Sequence, residues 1–342
     1  MAAPERDAHM DGTLGRRLRA CGAGPEALQP PSVALLDALR ALTSFDPPPE
    51  LPPCDLSELA DLLDAHGLAP LASYQLESRR LGAGVPRALR ERLLPLYQGA
   101  INDNVFKLMT LKGVLRQVDV PAVVLGAASY LDWLYPHLAF RPVGELSLAV
   151  RGADGARFAA ALAEVGFAAV ETGPGGHTAT FDDGRLPLHI QEGLLAGRGE
   201  ELGLFDATEP LPALGATAAR PSAESALLHA VGELAQAGLY APLLAYLDLR
   251  ELLLLPALAE AGSRASVRAR ASAAGLERAL YGACALVAHY FPQVAEQANA
   301  LSPALGRAER ATVQAIVESA GDPAKLRVAR GAEAAARLLL AP

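Results

Sequence analysis

The residues whose types and spacing could do chemistry lie in and around residues 143–150, a segment that predicts a strand. Glu145 and Ser147 stand two positions apart in it and alternate with apolar residues. Side chains two positions apart on a strand project to the same face of a sheet, and those between them project to the other face. We therefore expect Glu145 and Ser147 to form a polar pair on one face, with their apolar neighbours in the core.

A turn of small residues, 126–129, precedes this segment and is a second candidate site. The apolar residues 120–125 in front of it predict a short interior strand, and residues 127–135 predict a helix. Backbone N–H groups at a strand-to-helix turn can hold an anion, and the Ser129 hydroxyl could add a further donor. Close packing explains the small residues equally well, so both interpretations stay open.

Arg141 and two histidines are the other candidate groups of this region. Arg141 precedes Glu145 by four positions and could contact phosphate, although we expect it to pair with Glu145. His177 and His189 lie on two segments that predict a hairpin, because an Asp-Gly pair separates them. They could share a metal ion, but we expect ordinary strand histidines.

The spacing of these features resembles that of the nucleotidyltransferase superfamily, and more closely its branch of uncharacterised bacterial nucleotidyltransferases. Those proteins show a Leu-Lys-Gly turn, a Tyr-Pro pair, an arginine, an Asp-x-Asp strand and a later Asp-x-His strand. The matching positions here are Leu125, Tyr135-Pro136, Arg141, residues 145–148 and Leu188-His189. The resemblance implies nucleotide-binding positions at Gly126, Ala127, Ser129 and Arg141. It implies catalytic positions at Glu145, Ser147 and His189, with Glu145 as the metal ligand.

The chemical residues depart from that family pattern. Gly126 replaces the lysine and Ala127 the glycine of the turn, Glu145 and Ser147 replace the paired aspartates, and Pro187 replaces the third carboxylate. Nucleotidyl transfer depends on two Mg²⁺ ions that neutralise and position the triphosphate. Losing two of three carboxylates removes most of the attraction for such ions. We therefore expect no ordinary two-metal catalysis.

Composition narrows the class of protein. The 342 residues carry a formal charge of −8, which argues against general nucleic-acid binding, since such surfaces are basic. The three cysteines are scattered without zinc-type spacing, which suits a reducing compartment. The charged N-terminal residues lack the apolar core of a signal peptide, and the chain has no long uncharged apolar run. We expect a cytoplasmic protein that does not enter a membrane.

The order of predicted elements indicates an α+β fold, in which helices wrap a small mixed sheet of nucleotidyltransferase type and an all-α region follows. Residues 119–192 predict this core in the order β-α-β-α-β-β-β. The expected divisions are 1–54 (N-terminal tail, short helix and Pro-rich linker), 55–118 (helical lead-in), 119–192 (core), 193–260 (linker and leucine-rich helices packed on the core) and 261–342 (alanine-rich helices).

Charged residues inside two predicted helices have expected structural roles. Lys107 and Lys112 lie on a long helix over residues 86–118 and are expected to face solvent. Asp248 and Arg250 lie in a leucine-rich helix, where charged residues either face a cleft or form a structural ion pair. We favour the structural role.

Three functional hypotheses follow. The first is a pseudoenzyme that keeps the nucleotidyltransferase fold and acts by binding a partner protein or a nucleotide. The second is an active Mg²⁺-dependent enzyme that moves a nucleoside monophosphate from a nucleoside triphosphate to a small-molecule, RNA or protein hydroxyl. The third is an assembly protein that docks through its C-terminal helices. Mg²⁺ and a nucleoside triphosphate are cofactors under the second hypothesis only.

Overall fold

A computed structural model describes residues 33–45, 50–78, 85–173, 178–195 and 202–322, together with Ala334, Ala336, Arg337 and Leu340. His177, the N-terminal residues 1–32 and most of residues 323–342 in the predicted alanine-rich region lie outside the described residues. None of the described helices combines the length and apolar character that a membrane span needs.

Most of the described chain is helical. The helices, in chain order, are α1 (Val33–Thr43), α2 (Leu56–Ala65), α3 (Ala69–Ser78), α4 (Arg87–Val118), α5 (Ala127–Tyr130), α6 (Gly152–Glu164), α7 (Ala223–Gln236), α8 (Leu243–Leu253), α9 (Pro256–Ala259), α10 (Ala261–Ala273), α11 (Glu277–Tyr290), α12 (Ala295–Leu301) and α13 (Arg307–Ala320). Asp55 caps the start of α2, because its carboxylate accepts from the backbone N–H groups of Ser57 and Glu58.

Among the described residues, seven strands form one mixed sheet. They are β1 (Ala122–Leu125), β2 (Leu146–Ala149), β3 (Ala168–Thr172), β4 (Thr178–Asp182), β5 (Pro187–Gln191), β6 (Thr208–Pro210) and β7 (Ala218–Pro221). Their spatial order is β3-β4-β5-β2-β1-β7-β6. β1 runs antiparallel to β2 and parallel to β7, and β2 runs parallel to β5. The predicted α+β class is confirmed.

The predicted core order is found from β1 to β5, with two differences in extent. The helix predicted over residues 127–135 ends at Tyr130, and the chain continues in turns. The strand predicted over residues 143–150 is four residues long, so that Glu145 lies just before β2. The hairpin between β4 and β5 is confirmed, with Gly184 at φ 83° in its turn.

The linker predicted at the start of the division 193–260 contributes β6 and the start of β7 to the sheet instead. The sequence signal was weak because these strands are three and four residues long and carry prolines. β7 pairs with β1 in parallel, at Ala122 with Ala218 and Val123 with Ala219. This pairing makes β1 an interior strand and places α7, which follows β7 directly, beside the carboxyl end of β1.

The sheet separates two apolar cores. Leu146, Leu148 and Val150 enter the smaller core, which they share with the end of α4 and with α6. Leu125 and Ala149 enter the larger core, which contains α1 to α3, α7, α8 and α10 to α13. Because side chains alternate along a strand, the polar pair before Ala149 faces the larger core and its helices α7 and α8.

Candidate functional site

The turn after β1 is the first part of the site. Gly126 adopts φ 59° and ψ −144°, a backbone conformation that residues with a Cβ rarely take. The Ser129 hydroxyl donates to the Gly126 carbonyl at 2.8 Å, and Ser129 is fully buried. The predicted contact of the Ser129 hydroxyl with an anion therefore has no support in the structure, because this hydroxyl already closes the turn.

The strand register brings the predicted catalytic positions into one row. Ser147 on β2 lies opposite Leu125 on β1 and opposite His189 on β5. His189 in turn lies opposite Thr180 on β4, and its Nδ1 is 3.1 Å from the Thr180 hydroxyl. His189 Nε2 lies 3.6 Å from Glu145 Oε2. The fold thus joins Glu145, Ser147 and His189 at one sheet surface.

A cavity of about 530 Å³ opens between this surface and the helices α7 and α8. Its described lining residues are Leu125, Gly126, Ala127, Tyr130, Arg141, Gly144, Glu145, Ser147, His229, Ala230, Glu233, Leu234, Ala237, Ala241, Pro242, Ala245 and Asp248. Five of the predicted site residues line this cavity. Ser129 and His189 are not among the lining residues, although His189 lies next to Glu145.

Arg141 pairs with Asp248 and not with Glu145, so the predicted partner was wrong. Its Nε and Nη2 donate to both carboxylate oxygens of Asp248 at 2.8–2.9 Å. Tyr135 donates its hydroxyl to the same carboxylate at 2.5 Å. Burial and the neighbouring charge of Asp248 raise the pKa of Tyr135 well above its ordinary value, which keeps this donor protonated.

Asp248 and Arg250 also differ from the expected arrangement. Asp248 has the expected ion pair, but it lines the cavity at the same time. Arg250 points elsewhere, to Glu251 at 2.6 Å and to the Thr43 carbonyl at 2.8 Å, and so connects α8 to the end of α1. Asp248 and Arg250 therefore belong to two separate ion pairs on opposite faces of α8, which the leucine-rich sequence around them did not indicate.

α4 holds the segment that leads to Glu145. Asn104, which is fully buried, donates to the carbonyls of Leu138 and Arg141 at 2.7 and 3.0 Å and accepts from the Val143 N–H at 2.8 Å. One turn on, Lys107 donates to the Val143 carbonyl at 2.5 Å.

Lys107 also donates to the Gly144 carbonyl at 3.0 Å and to Asp103 at 2.6 Å. The expectation that Lys107 faces solvent was wrong, because these carbonyls draw its ammonium inward. In the sequence, the signal that α4 contacts this segment was Asn104, because asparagine is a poor helix former and stands here in the middle of a long helix.

His229 and Glu233 of α7 are cavity residues that sequence reasoning missed. They stand four positions apart and therefore lie on one face of the helix. His229 is 5% exposed, and its Nδ1 has no hydrogen-bond partner within the described part of the chain. Burial lowers the pKa of His229, so its ring is neutral near pH 7. A polar stripe on an otherwise apolar helix was the signal for both residues.

The described lining residues of the cavity carry more negative than positive charges. Arg141 is the one lysine or arginine among the described lining residues, and Asp248 neutralises it. Glu145 and Glu233 remain, and both are exposed. Glu145 lies beside the His189 ring, at 3.6 Å, while Glu233 lies near neutral His229. Counted over its described lining residues, the cavity therefore carries two carboxylates in excess over its cations.

The residues present do not fit the two-metal site that the superfamily resemblance implies. Glu145 is the one carboxylate at the strand positions, Ser147 is neutral and Pro187 has no side-chain oxygen. Among the described residues, no group of three or more His, Cys, Asp or Glu side chains is arranged to hold a metal ion. Mg²⁺ prefers several oxygen ligands in octahedral geometry, and this set does not supply them.

The resemblance predicted a small mixed sheet wrapped by helices, and the structure has this architecture. Residues 52–292 match the model of a family described as an uncharacterised nucleotidyltransferase. This match covers more than half of the chain, and the chain belongs to that family. No curated protein and no solved structure matches the chain.

Proposed function

We propose that this protein keeps the nucleotidyltransferase fold without ordinary two-metal nucleotidyl transfer, and that it acts by binding a ligand in the cavity. The observation that carries the proposal is the charge balance of the site. A nucleoside triphosphate is strongly anionic and needs metal ions or basic side chains to offset its charge. The described cavity offers a neutralised arginine and two surplus carboxylates.

The remaining features of the site support binding. The cavity has the volume of a small-molecule site, and its lining combines the polar groups of Glu145, Glu233 and Ser147 with apolar walls. The Arg141–Asp248–Tyr135 network and the contacts of Asn104 fix the surrounding segment, so the site is formed before a ligand arrives.

The test is incubation of the full chain with each radiolabelled nucleoside triphosphate and Mg²⁺ or Mn²⁺, followed by analysis of protein and RNA acceptors for label. In parallel, calorimetry measures nucleoside triphosphate binding with and without the metal. We expect no transfer of label and no metal-dependent binding.

An active transferase with a reduced metal site is the rival function. Its metal ligand would be Glu145, because this carboxylate stands at the first position of the family's Asp-x-Asp pair and lies 3.6 Å from His189. Label transfer that requires metal and disappears in Glu145→Gln would establish the rival and remove the proposal. Glu164→Gln is the matched control, since it makes the same change at an exposed position of α6 outside the cavity.

A further inference from the structure

The cavity is richer in hydrogen-bond acceptors than in available charged donors. Its carboxylates accept only, and its one described guanidinium is engaged, because Arg141 directs Nε and Nη2 to Asp248 and Nη1 to the Pro142 carbonyl. The Tyr130 hydroxyl stays protonated and neutral, because burial raises its pKa. A ligand that complements this surface supplies donors and positive charge.

His229 is a second and independent polar group of the cavity wall. It is one of the few buried polar residues of the described chain, and its Nδ1 lacks a partner there. Buried polar atoms of proteins are nearly always hydrogen-bonded, so an orphaned one calls for an explanation. The ring lies beside the Gly126 turn, where a Cβ built on Gly126 would be 3.8 Å from His229 Cε1.

We propose that the cavity binds an organic cation, an aliphatic amine with one or more ammonium groups, through the carboxylates of Glu145 and Glu233 and the imidazole of His229. This inference rests on the proposed binding function and names its ligand class. An ammonium group has three donors and no acceptor, which matches carboxylates and the lone pair of a neutral imidazole.

The walls of the cavity suit the aliphatic part of such a ligand. Apolar residues of α7 and α8 and of the turn between them form one side, namely Ala230, Leu234, Ala237, Ala241 and Ala245. Their mostly small side chains leave a broad surface against which methylene groups can pack. Glu233 lies on the same helix as Ala230 and Leu234, so charge and apolar wall are adjacent.

An organic cation fits this site better than a metal ion does. A metal ion must replace most of its water with several protein ligands, and the described residues offer no group of three metal-binding side chains. An ammonium group needs only one or two acceptors and keeps its remaining contacts with water. The two surplus carboxylates match a dication without any further ligand.

The test is calorimetric titration of the full chain with hexamethylenediamine and with spermidine. Hexamethylene glycol, which has the same carbon chain and hydroxyl groups in place of ammonium groups, is the ligand control. We expect saturable one-to-one binding of the amines that weakens as salt rises, because ions screen the carboxylates. We expect no binding of the glycol.

Two matched variants locate the site. Glu233→Gln should weaken amine binding at least about tenfold, which corresponds to about 1.4 kcal/mol. Glu164→Gln removes one negative charge on α6 away from the cavity and should leave the affinity within about twofold. Both glutamates are exposed on helices, so neither substitution disturbs the packed cores.

Equal affinity in the two variants would overturn the inference, because it would indicate diffuse attraction to an acidic chain. Absence of saturable amine binding would overturn it as well, but it would not restore two-metal nucleotidyl transfer and would leave that part of the proposed function intact. Transfer of a labelled nucleotide onto the bound amine would support the amine site and contradict the proposed function. The two proposals therefore fail separately.

Discussion

Single residues set the charge of the cavity. Arg141 would make the site suitable for phosphate if its guanidinium were free, but Asp248 engages it in a bidentate pair with Tyr135 as a third member. A buried carboxylate that loses its cation is strongly unfavourable, because the interior does not solvate the charge. The same pair therefore stabilises the fold and removes the cavity's positive charge.

This pair gives the first prediction. Arg141→Met should lower the free energy of unfolding by about 3–5 kcal/mol, since it leaves Asp248 charged and buried. Urea denaturation measures the loss. Adding Asp248→Asn should restore most of it, because the amide removes the charge and still accepts from Tyr135. A double variant that is less stable than Arg141→Met alone would contradict this explanation.

His229 gives a prediction on pH. Burial lowers its pKa below the ordinary value, so between these two values the unfolded chain binds a proton that the folded chain does not. The free energy of unfolding should therefore fall as pH decreases below about 6.5, by at most about 1.4 kcal/mol per pH unit.

The comparison is wild type against His229→Gln, by urea denaturation at about pH 7.5 and about pH 5.5. The variant should lose less stability than wild type, because glutamine does not titrate. Equal losses in the two proteins would show that His229 does not contribute to acid sensitivity.

At the scale of elements, α4 positions the segment before β2. Asn104 satisfies two carbonyls and one N–H of residues 138–143, and Lys107 satisfies two carbonyls of residues 143–144. These contacts replace the regular hydrogen bonds that an irregular segment lacks. Glu145 follows immediately, so its position depends on a helix that contributes none of the described lining residues of the cavity.

Asn104→Ala should therefore destabilise the protein by about 3 kcal/mol, because three backbone groups of this segment lose their partner. Hydrogen exchange should accelerate in residues 138–145 before the rest of the sheet. Asn102→Ala, the same substitution at an exposed position of the same helix, should change stability by less than about 0.5 kcal/mol. Similar effects of the two variants would contradict the positioning role.

The turn after β1 gives a prediction of its own. Gly126→Ala should cost about 1–3 kcal/mol in thermal or urea unfolding, because φ 59° with ψ −144° is strained for alanine although its Cβ has room. Gly113→Ala is the control in α4, where the Cβ meets nothing and helix propensity favours alanine by about 1 kcal/mol. Gly126→Ala should therefore lower the free energy of unfolding, and Gly113→Ala should raise it.

At the scale of the whole molecule, the C-terminal helices belong to the larger core. α11 packs on α7 and α8, and α10 packs on α7, so these helices cover the outer side of the two helices that form the cavity wall. Arg40 of α1 donates to the carbonyls of Tyr290 and His289 at 2.8 and 2.7 Å, which joins the first described helix to α11.

Removal of residues 261–342 should therefore expose the apolar side of α7 and α8 and yield an aggregated or poorly folded chain. Size-exclusion chromatography and circular dichroism measure this outcome against the full chain. A soluble, monomeric and cooperatively folded fragment would show that the predicted boundary near residue 260 separates independent units. That boundary stays a prediction until this experiment is done.

Local pattern determined much of the fold. The alternation in residues 143–150, the apolar run 120–125 and the Asp-Gly hairpin predicted the strands β1, β2, β4 and β5 of the core and the turn between the last two, because side-chain period and turn chemistry act over a few residues. The same reasoning missed the strands β6 and β7, which are too short and too rich in proline to show an alternation of polar and apolar residues. Resemblance in spacing led to the correct family and to five residues that line the cavity.

The sequence alone determined the class of fold, the position of Glu145 and Ser147 on one face, and the absence of the paired aspartates, since all three depend on residue identity and local geometry. Only the tertiary structure decided which groups meet. Arg141 pairs with Asp248, from which it is separated by 107 positions in the sequence. His229 and Glu233 line the cavity because the pairing of β7 with β1 places α7 beside β1. Such contacts follow from packing of the whole chain, and packing is not encoded in any short segment.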